Sequence, residues 1–560
     1  MLNKKNTWKN IKPEKNTYRS IFKWGDPETF KNPKPGLLKH IKKTLGINDK
    51  EISVVKNSGN MNVVAKKPVR LAEEHINAFR NIVGSENINL DDYSRVKYST
   101  GKTLIEQLNL RKGIIEAVSD IIIHPRSKED IQKIVYYCNE YKIPIYVYGG
   151  GSSVTLGVTP VKGGVTLVMN THMNKIIELN EKNQTCRVQA GIMGPDYEYQ
   201  LNNANIIFRT SKKYTCGHFP QSFEYSTVGG WIVTLGAGQQ SSYYGDIYDI
   251  VISQEYITPV GTFKTEEYPA SATGPKINDI MKGSEGAFGI LVSATLKIFR
   301  YMPENYQNFA FIFPSWELSI EAAREISQGQ FGFPSVFRIS DPEETDLAFK
   351  QYGLEGTIID RYIKKKGYMP GERCLYIGRA EGEKRFAKNI KKNTKIICKR
   401  FNGMYITGFP VKKWESGRYS DPYMREPLVD HGIVVDTLET SVTWDNLHKV
   451  YKSVRSFIKS KPHTICTTHA SHFYPEGTNL YFIFMTKLED VNNFKAFHKG
   501  IVDTIVESGG SISHHHGIGK MFAPWVEKYF GKEQLEILTT LKKHFDPNNI
   551  MNPGGTLGLN

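Results

Sequence analysis

Apolar and polar positions change rhythm along the chain. In KNPKPGLLKHIKKTLGI (32–48), Leu37, Leu38, Ile41, Leu45 and Ile47 fall on one stripe behind Pro35, which predicts a short amphipathic helix. With Lys39, Lys42 and Lys43 beside it, such a stripe could lie on a membrane surface, but it more often packs on its own protein. From about residue 115 short β-type runs alternate with helical stretches. IIEAVSDIIIHP ends in a strand, and SKEDIQKIVYYCNEYK follows as a helix capped by Ser127, with Ile131, Ile134, Val135 and Cys138 at helical spacing. IPIYVYGGG is a buried strand that runs straight into glycines, and GVTLVMN, KIIELN and TCRVQAGI are successive strands. Strand, helix, strand and glycine turn in that order imply an α/β unit.

Composition narrows the class. A chain of 560 residues holds roughly two to four domains. Hydrophobic residues at 39% and charged residues at 23% are ordinary globular usage, which excludes a disordered chain. No apolar run approaches the ~20 residues of a membrane span. The opening MLNKKNTWKNIKPEK is polar and basic, without a secretory signal, and the end TLGLN carries no Ser-Lys-Leu. Six cysteines stand singly, which suits a reducing interior and neither a disulfide framework nor a zinc knuckle. The net charge of +16 attracts anionic substrates, acidic lipid surfaces or nucleic acid, or simply solvates the surface. No nucleic-acid reader module accompanies it, so that partner is not expected.

VYGGGSSVTLG (147–157) carries the first chemistry. Three glycines after a strand let backbone N–H groups crowd into an anion nest, and Ser152 and Ser153 add hydroxyls. The segment is neither GxxxxGK[ST] nor a GxGxxG that opens a helix. Two further glycine-rich stretches follow, FPQSFEYSTVGGWIVTLGAGQQSSYYGDIYDIV (219–251) and MKGSEGAFGILVSATLKIF (281–299). The three in this order resemble the FAD-binding domain of the vanillyl-alcohol oxidase superfamily. The resemblance implies an α+β protein: a two-subdomain PCMH-type FAD-binding domain (91–305), an antiparallel-sheet cap for substrate (306–500), and helical segments at 1–90 and 501–560, the last returning to the flavin. It implies FAD contacts at Tyr148, Gly149, Gly150, Gly151, Ser152 and Ser153, at Pro220, Ser222, Ser226, Thr227, Gly229 and Gly230, and at Gly283, Ser284, Glu285, Gly286, Gly289 and Ile290. Relatives that tether FAD through the glycine loop carry histidine there; this chain does not, so FAD is expected to bind without a covalent link.

The C-terminal half adds SGGSISHHHGIGK (508–520). Adjacent side chains on an extended segment face opposite ways, so three contiguous metal ligands are not expected, and histidines suit proton movement near neutral pH. HASHFYPEGTNLYFIFM (469–485) holds a strand with Tyr481 among apolar neighbours, and Arg338 and Arg425 stand on apolar segments where a guanidinium needs a partner, a substrate phosphate being a natural one. His218 reads as a polar loop residue or a site residue. With Lys23-Trp24-Gly25, HFPQSFEYSTVGGW, ATGPKINDIMKGSEG, LETSVTWD, SHHHGIGK and DPNNIMNPG, these resemble the alkylglycerone-phosphate synthase family of ether-lipid synthesis. That family exchanges the acyl group of acyl-dihydroxyacetone phosphate for a long-chain alcohol through an adduct at flavin N5, with no net redox change.

The resemblance implies that Tyr481 is the acid/base, that His515 and His516 assist proton removal with His218 nearby, and that Arg338 and Arg425 handle the phosphorylated substrate. Lys276 and Leu235 depart from the usual pattern, beside the flavin region. The expected partners are a phosphorylated lipid precursor and a long-chain alcohol, with peripheral membrane contact and a homodimer as further candidates, in a cytoplasmic setting. The competing expectation is an FAD-linked oxidase or dehydrogenase of a D-2-hydroxy acid. Those relatives carry His-x-Gly-Asp-Gly-Asn-x-His, where this chain has His469-Ala-Ser-His472.

Overall fold

The structure, a computed structural model, describes residues 8–559; the opening MLNKKNT, part of the expectation of no secretory signal, lies outside them. The α/β unit forms as its pattern requires. Strands Ile121–Ile123 and Ile145–Tyr148 flank Val165–Val168 in parallel, and Ile88–Asn89 closes the edge antiparallel. The crossover helix Lys128–Tyr141 is capped by Ser127, whose hydroxyl accepts the Asp130 N–H, and it buries Ile131, Ile134, Val135 and Cys138 completely. At the far end of the chain Ile550 and Asn552 hydrogen-bond to Ile145, so the C-terminal segment packs on the strand that leads into the glycine loop.

An antiparallel sheet of five strands follows, in the order Ile176–Asn180, Thr185–Gln189, Ile290–Lys297, Val251–Thr258 and Gly261–Lys264. GSEGAFG therefore feeds the central strand. One apolar core joins both sheets and takes in Phe545, Ile550 and Met551 from the C-terminus.

The second body is an antiparallel sheet of seven strands, in the order Met404–Tyr405, Gln307–Phe313, Cys374–Ala380, Val336–Ser340, Ile465–Ser471, Gly477–Lys487 and Ile433–Thr443. Its core also takes in Leu104, Ile105 and Leu108 from the helix Leu104–Leu110, and the helix Val491–Ser508 runs across position 500.

The amphipathic helix is Pro35–Leu45, closed by Gly46 in the left-handed region. Leu37, Ile41 and Leu45 pack with Leu347, Leu428, Ile433 and Ile465, so the stripe lies on the protein itself. Each such side chain contributes about 1.5–3 kcal/mol on full burial. The N-terminal segment is fixed further by Arg19 and Arg111, which share the buried carboxylate of Asp430 at 2.7 and 2.6 Å. All six cysteines are buried and free. Among the described residues no helix is long and apolar enough to cross a membrane.

Candidate active site

A cavity of about 1250 Å³ lies between the two bodies. Its floor is the glycine loop. A Cβ on Gly150 would stand 2.1 Å from the Tyr225 carbonyl oxygen, and Gly151 takes φ +70° with the Tyr148 hydroxyl against it. The first and second glycine segments are thus packed backbone to backbone, and only glycine fits. Among the described residues, the N–H groups of Gly150, Gly151, Ser152 and Ser153 meet no acceptor. Four consecutive unpaired donors facing a cavity form a nest for an anion with several oxygens, so the residues present fit the diphosphate of FAD.

The predicted cofactor residues divide. Gly149 to Ser153, Pro220, Ser222, Ser226, Thr227, Gly229, Gly230, Glu285, Gly286, Gly289 and Ile290 line the cavity. Tyr148, Gly283 and Ser284 stand behind the wall: Tyr148 packs edge-on to Tyr98, and Gly283 lies under Leu235. The departures from the family pattern, Leu235 and Lys276, are both exposed and off the lining.

The opposite wall carries Tyr481, in the strand Gly477–Lys487, with the histidines around it. His469 stacks on the phenol at 5.0 Å, His515 at 5.9 Å, and His516 meets it edge-on at 5.7 Å. The Tyr481 hydroxyl donates to Thr437 Oγ1 at 3.1 Å, and burial pushes its pKa up to about 12. Burial also lowers His469, His515 and His516, so near neutral pH these imidazoles are uncharged and able to accept a proton. The segment is not extended: residues 514–516 bend, so His515 and His516 both reach the cavity, while His514 turns to the Tyr474 hydroxyl at 2.7 Å.

Both arginines line the cavity, and each already has a carboxylate partner. Arg338 Nη2 lies 2.8 Å from Glu344 and 3.1 Å from His469 Nδ1. Burial works to raise Glu344, but Arg338 and His469 outweigh it and hold the carboxyl far below its ordinary range. Arg425 donates to Asp436 at 3.0 Å and to the Lys102 carbonyl at 2.8 Å, leaving its buried Nε without a partner. The second oxygen of Glu344 is likewise buried and unpartnered. The arginines are therefore preset, Arg338 by Glu344 and His469, and Arg425 by Asp436 and the Lys102 carbonyl.

His218 does not join this group. It lies 1% exposed against Trp231, outside the lining, with both ring nitrogens unpartnered, and burial drives its pKa to about 3. His469, His472, Glu344 and Glu439 were absent from the set of predicted site residues. His469 carried a usable signal, two residues from a strand end in the register that faces Tyr481; Glu439 depends on the pairing of two strands, and Glu344 on the helix that starts after Asp341. Among the described residues, Glu439, His514 and His515 bring potential ligand atoms within 4.8 Å, but both Glu439 oxygens already accept hydrogen bonds from the protein.

Comparison with known proteins agrees with this geometry. The FAD binding domain family matches residues 119–266, and the family of FAD linked oxidases, C-terminal domain, matches 302–556. FAD is the cofactor. An alkyldihydroxyacetonephosphate synthase of Dictyostelium discoideum is 31% identical over 553 residues, 94% of this chain and 88% of its own length. A solved alkyldihydroxyacetonephosphate synthase structure superposes with a TM-score of 0.82 at 28% identity, over 96% of this chain and 99% of that one. A 4-ethylphenol oxidase from Gulosibacter chungangensis shares the fold, with a TM-score of 0.65 at 17% identity over 87% of this chain and 98% of its own.

Proposed function

The chain belongs to the alkyldihydroxyacetonephosphate synthase family, and from that premise we propose that it exchanges the acyl group of an acyl-dihydroxyacetone phosphate for a long-chain alcohol at this cavity. One observation carries the reading: a single cavity joins an anion nest, a tyrosine ringed by neutral histidines, two preset arginines and an apolar limb. Leu347, Phe349, Ile363, Ile406 and Trp414 line that limb. The whole cavity, at about 1250 Å³, exceeds the ~300–1,000 Å³ of ordinary ligand sites, leaving room for a cofactor and an alkyl chain together.

The glycine segments would hold FAD, which would supply flavin-ring chemistry for an exchange without net redox change. The chain's own residues bind, orient and move protons. The guanidinium charges of Arg338 and Arg425, both on the cavity wall, face the phosphorylated headgroup. His515 or His516, neutral in the free enzyme, accepts a proton from the substrate carbon, and the Tyr481 hydroxyl holds a proton at Oη that it can give or take back.

The apolar limb also bears on where the substrates come from. In the helix Ile358–Lys365, Ile358 is 76% exposed and Tyr362 56%, and Phe409 nearby is 70% exposed. Ile359, Tyr362 and Phe409 line the cavity, and Lys364, Lys365, Lys412 and Lys413 stand among them in sequence. An apolar rim with basic neighbours suits the surface of an anionic membrane. Lipid vesicles rich in anionic headgroups are expected to retain the protein, and Ile358→Asp with Phe409→Asp to release it.

The test of the exchange is anaerobic incubation with acyl-dihydroxyacetone phosphate. Release of fatty acid and formation of an ether on adding a long-chain alcohol are expected. Reduction of the flavin by D-lactate or glycolate, without exchange, would replace this reading with the hydroxy-acid oxidase.

A further inference from the structure

Under the histidine loop, three consecutive backbone N–H groups converge on one buried carboxylate. Glu439, in the strand Ile433–Thr443, pairs across the ladder with Tyr481 and is 2% exposed. Its Oε2 accepts the His514 N–H at 2.7 Å, and its Oε1 accepts those of His515 and His516 at 3.2 Å each. The Ser513 hydroxyl donates to Oε1 at 2.7 Å and the Asn479 amide to Oε2 at 3.0 Å. Bent backbone that presents successive N–H groups is an anion nest, and here the anion is a side chain of the same molecule. Across the cavity Glu285 accepts the Ile518 and Gly519 N–H groups at 2.6 and 2.7 Å. The loop thus hangs between two carboxylates, one from each body.

We propose that Glu439 is the positioning residue of the proton-transfer cluster, fixing the backbone of residues 514–516 so that His515 and His516 stand over Tyr481. The proposal rests on the reading of this cavity as the exchange site. Without the carboxylate, the His514 and His515 N–H groups lose their acceptor and that of His516 keeps only the Ser513 hydroxyl, so the loop must rearrange to satisfy them. Among the described residues the His516 ring makes no side-chain hydrogen bond and that of His515 reaches only His514, while both Nδ1 atoms lie near Glu439, at 3.5 Å for His515 and 3.7 Å for His516.

The charge acts in the same sense as the geometry. His516 faces Glu439 and Asp436 from one strand, Tyr481 from the next, and His514 and His515 from its own loop, with His469 and His472 beyond. Burial lowers its pKa first of all; Glu439 and Asp436 oppose this, and His514 adds to it. Removing the Glu439 charge is therefore expected to lower it further.

Glu439→Gln in the FAD-loaded protein keeps the volume and removes the charge and one acceptor. FAD content and melting temperature are expected to hold, kcat to fall on the order of 10- to 100-fold as the imidazoles shift, and KM to stay within about twofold. Independently of turnover, carbethoxylation of His516 by diethyl pyrocarbonate, mapped by mass spectrometry across pH, is expected to move its midpoint to lower pH. A folded, FAD-loaded variant with unchanged kcat and an unchanged His516 profile overturns the proposal. If Glu439→Gln fails to fold, Ser513→Ala decides: it removes a donor to Oε1 and one of the two acceptors of the His516 N–H, so a smaller fall in kcat with altered His516 reactivity is expected, and no change in either overturns the proposal. Should the unmodified enzyme show no exchange while His516 still shifts in Glu439→Gln, the exchange reading fails and the positioning role stands.

Discussion

The two walls of the cavity are built by different means. The flavin-side wall is backbone: N–H groups of residues 150–153 left open, held in shape because Gly150 packs against the Tyr225 carbonyl. The cap-side wall is side chains on crossed partners, with Tyr481 flanked by His469 from the next strand and by His515 and His516 from a loop. A backbone site tolerates many neighbours but no Cβ at its close approaches. A side-chain site tolerates modest changes in shape but depends on each proton and charge. Substitutions should therefore abolish cofactor binding on one wall and change rates, with the cofactor retained, on the other.

Gly150→Asp should give the largest effect. The new Cβ would meet a carbonyl oxygen that cannot swing away, and the carboxylate would oppose the diphosphate. Flavin absorbance per chain after extended dialysis should fall to background, and exchange with it. Full occupancy would mean that the diphosphate lies elsewhere and that the comparison of walls is misdrawn.

Tyr481→Phe tests the other wall. The ring and its stacking on His469 survive, while the proton at Oη is lost. FAD should remain bound and the exchange rate should fall by about 10²–10⁴-fold, the range of general acid–base contributions. An unchanged rate would remove the phenol from the chemistry. Arg338→Lys should be milder, roughly tenfold in kcat/KM or ~1.4 kcal/mol, because an ammonium keeps the charge but not the planar guanidinium whose Nη2 meets both Glu344 and His469. Steady-state kinetics with intact flavin absorbance would separate this from a folding defect.

The same contrast explains how much was legible in the sequence. Glycine loops state their conformational demand locally, so the strand into Gly149, the Ser127 cap and the helix Lys128–Tyr141 follow from a few adjacent residues. Tyr481, His515, His516, Arg338 and Arg425 came chiefly through the family resemblance, and the structure brings all five to one cavity. Their partners were hidden for a physical reason. Glu439 faces Tyr481 only because two strands pair in one register, and Glu344 reaches Arg338 only through a helix cap at Asp341 that turns the chain back. The bend at residues 514–516 needs the Glu439 carboxylate, which lies 75 residues upstream of His514.

His218 gives the smallest expected effect and sharpens the boundary between the walls. It sits behind Trp231 with both nitrogens unpartnered, so replacing it by phenylalanine removes no hydrogen bond. Its pKa is depressed from 6.5 to about 3 in the folded protein, because burial disfavours the imidazolium. A depressed value contributes stability that is present above pH 6.5 and lost as pH falls from 6.5 toward 3, at about 1.4 kcal/mol per pH unit at most. His124, lowered to about 4 by burial, titrates in the same direction and remains in the variant. The melting temperature of His218→Phe should therefore decline less steeply than that of the unmodified protein between pH 6.5 and 4.5, with a residual slope, while exchange at pH 7.5 stays within about twofold. Parallel slopes would show that His218 is solvated or paired in solution. Loss of exchange with FAD retained would move it across to the proton-handling wall.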